Sequence, residues 1–287
     1  MVIKGATALA LPTRKGQQFE LKTGTGSEVV WKALDHDGKE WFTANIDLMG
    51  FEIIKSSDET LARKLAKVLT SACRDNSDFL SKWKKYRVTT KLEFPREWGL
   101  GSSASLIYLI AQWAEANPYS MYFDLESGSG YDIAATQAES PLLYTYKGDS
   151  LDISPVEFNP PFKDQLFFIP LGNKADSSAA VRSFLKKKTR KQDIEKASSL
   201  TARMLEANSL TQFNELIQEH EEFVGNILGE TPIKQRLFKD FTGAVKSLGA
   251  WGGDMILATG NGKMDTTEYF QSKGYPTVIP FDELILT

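Results

Sequence analysis

The stretch from Tyr86 to Ala114 constrains the fold more than any other. Tyr86, Val88, Thr90, Leu92 and Phe94 alternate with Arg87, Thr89, Lys91 and Glu93. That period of two predicts a strand with one buried face and one exposed face. Pro95 closes it, and Arg96-Glu97-Trp98-Gly99-Leu100-Gly101-Ser102-Ser103-Ala104-Ser105 follows. Leu106, Ile107, Ile110, Ala111 and Ala114 then recur at helical spacing. The chain must therefore pass from strand to helix through a glycine-rich turn. Glycine lets a backbone come close to an anion. A helix start offers unpaired N–H groups and the positive end of the helix dipole. Ser102 and Ser103 add hydroxyl donors, or oxygens for Mg²⁺. The segment reads either as a phosphate cradle or as a tight turn with a serine cap.

Two further loops carry chemical signal. Gly128-Ser129-Gly130-Tyr131-Asp132 opens the helical stretch DIAATQA. An acid inside a helix start can be only a dipole partner. Beside a phosphate cradle it could also orient a substrate hydroxyl or take its proton. The third loop, Gly249-Ala250-Trp251-Gly252-Gly253-Asp254, lies between a helical segment and the strand MILATG. A helix C-cap needs one glycine. Three suggest close backbone approach to another loop or a ligand.

Other patterns are decoys. Gly99-x-Gly101-x-x-Ala104 fits the dinucleotide fingerprint, with Asp124 downstream. That fingerprint belongs to a βαβ unit whose buried parallel strands are apolar nearly throughout. The strand before Pro95 alternates instead, and the segment carrying Asp124 does not read as such a strand. Gly262-Lys263 lacks the upstream glycine and the following Ser or Thr of a P-loop.

Composition narrows the classes. With 34 basic and 37 acidic residues the net charge is −3, which argues against a nucleic-acid binder. One cysteine, Cys73, excludes intrachain disulfides, and with only His36 and His220 it excludes Cys₄ and Cys₂His₂ zinc sites within one chain. His36 falls in a turn. His220 falls on the apolar face marked by 213, 217, 224 and 227, as a hydrogen-bonded core residue, so a histidine-based triad has little to draw on. No apolar run approaches the roughly 18 residues of a membrane span, and the start of the chain reads poorly as a signal peptide. We expect a cytoplasmic protein, with neither nucleic acid nor membrane as partner.

Along the chain, residues 1–55 read as strands, with Asp37-Gly38 as a hairpin turn. Residues 58–74 read as a helix, and Asn117-Pro118 ends the helix after the first loop. PLLYTYKG and SLDISPVEF read as strands, and Asn159-Pro160-Pro161 as a boundary. Beyond it LFFIPL is a strand, and helices are expected near 177–188, 190–208, 210–228 and 233–247. A short helix and the strand PTVIPF close the chain. The basic run 186–191 reads as a solvated helix end or loop.

The three loops, in this order, resemble those of the GHMP kinases, a family that includes galactokinase and the homoserine, mevalonate and phosphomevalonate kinases. PREWGLGSSAS is similar to their second motif, GSGYDIAA to the segment with the catalytic aspartate of the mevalonate branch, and KSLGAWGGDMILA to their third motif. The Gly-Tyr-Asp-Ile-Ala wording is like that of a bacterial subgroup. The resemblance implies an α+β fold. Residues 1–159 would form a ribosomal protein S5 domain 2-like, ATP-binding domain, and 160–287 a ferredoxin-like GHMP domain. It implies ATP and Mg²⁺ as cofactors. Gly99, Leu100, Gly101, Ser102, Ser103 and Ala104 would wrap the triphosphate. Ser103 would ligate Mg²⁺, with Glu126 as the candidate acid and Asp124 behind it. Asp132 would act on the acceptor hydroxyl. Gly249, Ala250, Gly252 and Gly253 would line the phosphate and acceptor side.

Departures from the pattern matter. Arg96-Glu97-Trp98 replaces small residues, and Trp251 replaces a glycine. The two tryptophans are expected to narrow the nucleotide pocket or to pack on each other. MVIKGATALALP matches only the tail of the family's opening motif, so Met1 is expected to be internal to a longer natural chain. The implied activity is phosphorylation of mevalonate or a close relative. A phosphomevalonate kinase would want basic groups near Asp132, with Lys174, Arg182 and Lys246 as candidates. A decarboxylase of a diphosphorylated mevalonate, a non-catalytic nucleotide-binding protein and an NAD-binding protein are the competing readings.

Overall fold

The computed structural model describes residues 1–172, 177–251 and 253–287. Lys174 and Gly252, both singled out by the sequence, lie outside the described residues. In chain order the first elements are β1 Ala8–Ala10, β2 Gln17–Gly24, β3 Glu28–Leu34, β4 Glu40–Asp47, β5 Ile53–Ser56, α1 Glu59–Asp75, β6 Lys85–Leu92, α2 Ser102–Ala114 and α3 Pro118–Leu125. Then come α4 Tyr131–Gln137, β7 Leu142–Tyr146, β8 Leu151–Pro155, β9 Leu166–Pro170, α5 Ser177–Leu185, α6 Lys191–Leu205 and α7 Leu210–Leu228. The last are α8 Ile233–Leu237, β10 Val245–Ser247, β11 Met255–Thr259, α9 Lys263–Ser272, β12 Ile279–Pro280 and α10 Phe281–Leu284. No described helix is long and apolar enough to cross a membrane.

Contacts divide the chain into two compact units. One holds Lys15–Arg96 and Leu100–Glu126; the other holds Met1–Arg14, Glu97–Gly99 and Ser127–Thr287.

The unit built on Lys15–Arg96 contains a five-stranded sheet in the order β2-β6-β3-β4-β5. The Asp37-Gly38 hairpin forms as expected, with β3 and β4 antiparallel and Gly38 at φ 80°. In β6 the alternation buries Val88, Thr90 and Leu92 and turns the other face outward. Three helices pack together here. Asp58 caps α1 by accepting from the Leu61 N–H at 3.0 Å, and the helix buries Ala62, Leu65, Val68, Leu69 and Ala72. Asn117-Pro118 does more than end α2. Asn117 accepts from the N–H groups of Tyr119 and Ser120, and Pro118 stands at the first position, so a new helix, α3, begins there.

The other unit has two sheets: β1-β7-β8, and β10-β11-β9-β12, in which every pairing is antiparallel. β9 and β11 are buried at every residue. Phe167, Ile169, Ile256 and Ala258 from them form a core with Ile233, Phe238 and Phe270. The helix expected over 233–247 stops at Leu237, and Val245–Ser247 is a strand. The physical reason is Gly243. A Cβ built there would stand 1.7 Å from the Thr259 carbonyl oxygen, so the chain must press against the end of β11. Ala244 N–H then donates to Thr259 Oγ1 at 2.8 Å. Phe238 and Phe241, which read as helix-spaced, turn into the core around Phe270. The expected tail strand shrinks to Ile279–Pro280.

Candidate functional site

The first glycine loop delivers a helix start free of side-chain capping. Gly101 is the N-cap of α2 at φ 74°, and no side chain caps it. Ser105 N–H donates to Gly101 O at 3.0 Å as the helix begins. Nothing lies within 4 Å of a Cβ built on Gly101, so its backbone conformation, not crowding, calls for glycine. Ser102 is half-buried, Ser103 exposed and Ala104 buried. Uncapped N–H groups at such a start suit an anion. Ser105 has a structural job: its hydroxyl binds Gln17 Oε1 at 2.9 Å and Ser102 O at 3.1 Å. Upstream, the Arg96 guanidinium lies 3.8 Å from the ring centre of Trp41 and braces the entry to the loop.

Gly99 belongs to the other unit, where it meets the residue that ends the third loop. It stands at φ 68°, and a Cβ on it would lie 2.5 Å from Asp254 Cβ and 3.0 Å from Asp254 Oδ2. Asp254 is itself anchored through its carbonyl, which accepts from Leu171 N–H at 2.9 Å. First and third loops are thus brought into contact at these two residues.

Asp132 is held by the second loop. Gly130 is the N-cap of α4 at φ 79°, and no side chain caps this helix start either. Tyr144, fully buried on β7, donates its hydroxyl proton to the carbonyl of Ser129, itself 7% exposed. The turn is therefore fixed from beneath, one residue before Gly130. Asp132 follows in the first turn of α4, half-buried. Burial raises its pKa above the ordinary aspartate value, against a smaller opposite effect of a hydrogen bond from Tyr131. Such a carboxylate is better suited to accept a proton than a fully solvated one.

In the third loop Gly249 and Gly253 have φ 59° and 87°, and Ala250 is half-buried. Trp251 also lies in the left-handed region, at φ 64°. Its ring packs on α7: Cη2 is 3.3 Å from a Cβ built on Gly225. Trp251 is thus an anchor to this helix.

The expected acidic metal ligand is placed less tellingly. Glu126 is exposed at the C-cap of α3, in the unit that carries α2. Asp124 is occupied by an exposed ion pair with Arg74 at 3.2 Å. The carboxylates of Asp35 and Asp37 come together with His36, but Asp35 Oδ1 already binds the N–H groups of Asp37 and Lys39, which accounts for the turn. Of the basic candidates, Arg182 is exposed on α5. Lys246 is half-buried with Nζ 3.1 Å from Ser247 O, and burial lowers its pKa. In the basic run 186–191, Lys187 donates to the carbonyl of Leu228 at the end of α7, a helix-end role.

His220 departs from the expected hydrogen-bonded core histidine. Its Nδ1 is buried without a hydrogen-bond partner among the described residues, and Glu221 Oε1 lies 3.8 Å away. Burial, then the charge of Lys246, pushes its pKa down to about 4, against the pull of Glu221. The polar residue at the heart of this face is Glu221, 3% exposed. Sequence reasoning missed Glu221, Tyr144 and Asp254. Glu221 does sit at helical spacing from Phe213, Ile217 and Val224, a signal hidden by reading charge as exposure.

No family model matches the sequence, and no curated protein matches it. Solved structures do share its fold, and those structures are of small-molecule kinases. The mevalonate kinase of Methanococcus jannaschii matches with a TM-score of 0.67 at 13% identity, over 100% of this chain and 93% of its own. The phosphomevalonate kinase of Streptococcus pneumoniae, solved with phosphomevalonate and AMPPNP, matches at 0.65 and 12% identity, over 96% and 99%. The galactokinase of Lactococcus lactis, solved with galactose, matches at 0.63 and 13%, over 99% and 88%. At these identities the likeness is one of fold, a mixed α+β architecture common to kinases with different acceptors.

Proposed function

We propose that this protein is an ATP-dependent kinase of the GHMP type that phosphorylates a hydroxyl of mevalonate or a close relative. The observation that carries the reading is the uncapped start of α2 behind Gly99-Leu100-Gly101, on a fold shared with a protein solved with AMPPNP. Phosphoryl transfer asks for positioning and charge neutralisation more than for covalent chemistry. The backbone from Gly99 to Ala104, with Ser102 and Ser103, would hold the triphosphate. The exposed hydroxyl of Ser103 fits a magnesium ligand, with Glu126 as the candidate acid. Bound Mg²⁺ would neutralise charge on the phosphates. Asp132, its pKa raised by burial, would orient the acceptor hydroxyl and take its proton. Gly249, Ala250, Gly252 and Gly253 would line the phosphate and acceptor side. In this reading 1–159 is the S5 domain 2-like half and 160–287 the ferredoxin-like half, and the enzyme works in the cytoplasm.

A phosphorylated acceptor, phosphomevalonate, is the second reading. It draws on Lys246, one residue before the end of β10 and close to the third loop. An ADP-release screen over mevalonate, phosphomevalonate, homoserine and sugars tests both. Release with mevalonate supports the first, and release with phosphomevalonate alone the second. Nucleotide binding without release for any acceptor would favour a non-catalytic protein.

A further inference from the structure

Two residues one turn apart on α7 hold two residues of the third-loop segment that are themselves four positions apart. Glu221 accepts from Ser247 twice, from the backbone N–H at 3.0 Å and from the hydroxyl at 2.9 Å. Gly225 receives the ring of Trp251. Ser247 is the last residue of β10, so the first pin sits where the chain leaves the sheet. Leu248 N–H then reaches Met255 O at 3.3 Å, and Trp251 N–H closes back on Leu248 O at 3.3 Å.

The arrangement is costly in ways that point to a purpose. A carboxylate 3% exposed is tolerated only when partners replace its water. Here both partner hydrogens come from one residue, at the mouth of a glycine loop. The nearby cation, Lys246, is held by its hydrogen bond to the Ser247 carbonyl, so the same residue is gripped on three polar atoms. Trp251 occupies a left-handed conformation that an aromatic residue rarely adopts. Glycine weakens a helix interior. Yet at 225 a Cβ would lie 2.7 Å from Glu230 O, 3.3 Å from Trp251 Cη2 and 3.4 Å from Pro232 Cδ. Each local penalty is offset by the same result: a loop rich in glycine, with little rigidity of its own, is tied to a nineteen-residue helix.

We propose that Glu221 is a positioning residue. Its carboxylate fixes the opening of the third glycine loop, Leu248–Trp251, in its working shape, with Trp251 on Gly225 as the second pin. The proposal rests on reading that loop as the phosphate and acceptor loop of a kinase. Glu221 touches no reacting atom; it acts through Ser247.

The test compares wild type with Glu221→Gln, Glu221→Asp and Ser247→Ala as full chains. Hydrogen exchange of the ligand-free protein and steady-state kinetics are read together. Expected for Glu221→Gln is exchange about ten-fold faster at the amides of 247–251, with β9 and β11 unchanged. The kcat should fall roughly ten-fold or more, with KM for ATP within about two-fold. Glu221→Asp should recover part of both effects. Ser247→Ala removes only the hydroxyl link and should give a smaller effect in the same amides, which keeps the idea testable if changes at Glu221 prevent folding. Unchanged loop exchange in a folded Glu221→Gln would overturn the proposal. So would faster exchange spread evenly over the unit, which marks a merely structural residue. If the wild type transfers no phosphate, the kinase reading fails, while the exchange measurement still decides the clamp.

Discussion

Gly99 and Asp254, far apart in sequence, meet so closely that a Cβ on the glycine would stand 2.5 Å from the Cβ of the aspartate. The first and third loops are therefore fitted to one another at a point where no side chain can be added. Gly99 also stands at φ 68°, which disfavours alanine by itself. Gly99→Ala should cost about 2 kcal/mol or more, from overpacking and backbone strain together. Adding Asp254→Gly should recover the overpacking share and leave the strain. Thermal melts of the two single variants and the pair measure this. Strictly additive losses would show that the contact does not matter.

Tyr144 supports the second loop from below through the Ser129 carbonyl. Tyr144→Phe leaves a buried carbonyl without its partner, at a cost of about 1–3 kcal/mol. On the proposed reading we expect a lower Tm and a reduced kcat with KM for ATP nearly unchanged, because the displaced residue is Asp132 and not the first glycine loop. A kcat equal to wild type would separate Tyr144 from the placement of Asp132.

Burial gives Asp132 a stability cost. Its raised pKa means the folded state holds the proton more tightly than the unfolded chain does. Stability is thus lost as pH rises from the ordinary aspartate range through the folded value, and the buried charge, once formed, is a net burden. Asp132→Asn removes that burden. It should raise Tm, each 1 kcal/mol being about 2–4 °C in a chain of this size, while transfer falls roughly 100-fold or more. The acid limb of the wild-type rate profile should lie above the usual aspartate range. A destabilised Asp132→Asn with normal turnover would contradict both points.

His220 gives the opposite dependence on acid. Its pKa falls from 6.5 to about 4 on folding, mainly through burial. Between those values the unfolded chain binds a proton that the folded protein refuses. Stability therefore declines as pH drops through this window, by up to about 3 kcal/mol from this one group. His220→Gln should flatten that decline between pH 7 and 4.5 in urea titrations. Parallel curves for variant and wild type would assign the acid sensitivity to other groups.

The parts of the fold legible in the sequence are those fixed locally. Alternation from Tyr86 to Phe94, the glycines after it and the apolar stripe behind them specify β6, the loop and α2, because each is set by near neighbours in the chain. Asp37-Gly38 and Asp58 are equally local signals. What escaped notice depends on residues brought from afar. Nothing near Gly243 announces that Thr259 will press on it, so a helix was expected where β10 forms. Asn117-Pro118 reads as a stop, but stop and start signals can share one asparagine. For the site, Asp132 and the glycines stand in loops the sequence marks. Glu221 lies outside those loops, and Asp254, though it ends the third, carries no local mark of its role, since the importance of both lies in the partner each one meets.

The central claim is phosphoryl transfer, and ³¹P NMR of the purified protein with ATP, Mg²⁺ and mevalonate tests it most directly. The account expects a phosphomonoester signal that grows in step with ADP, needs the acceptor, and is absent with Asp132→Asn. Bound ATP that stays intact with mevalonate, phosphomevalonate and sugars alike would contradict it.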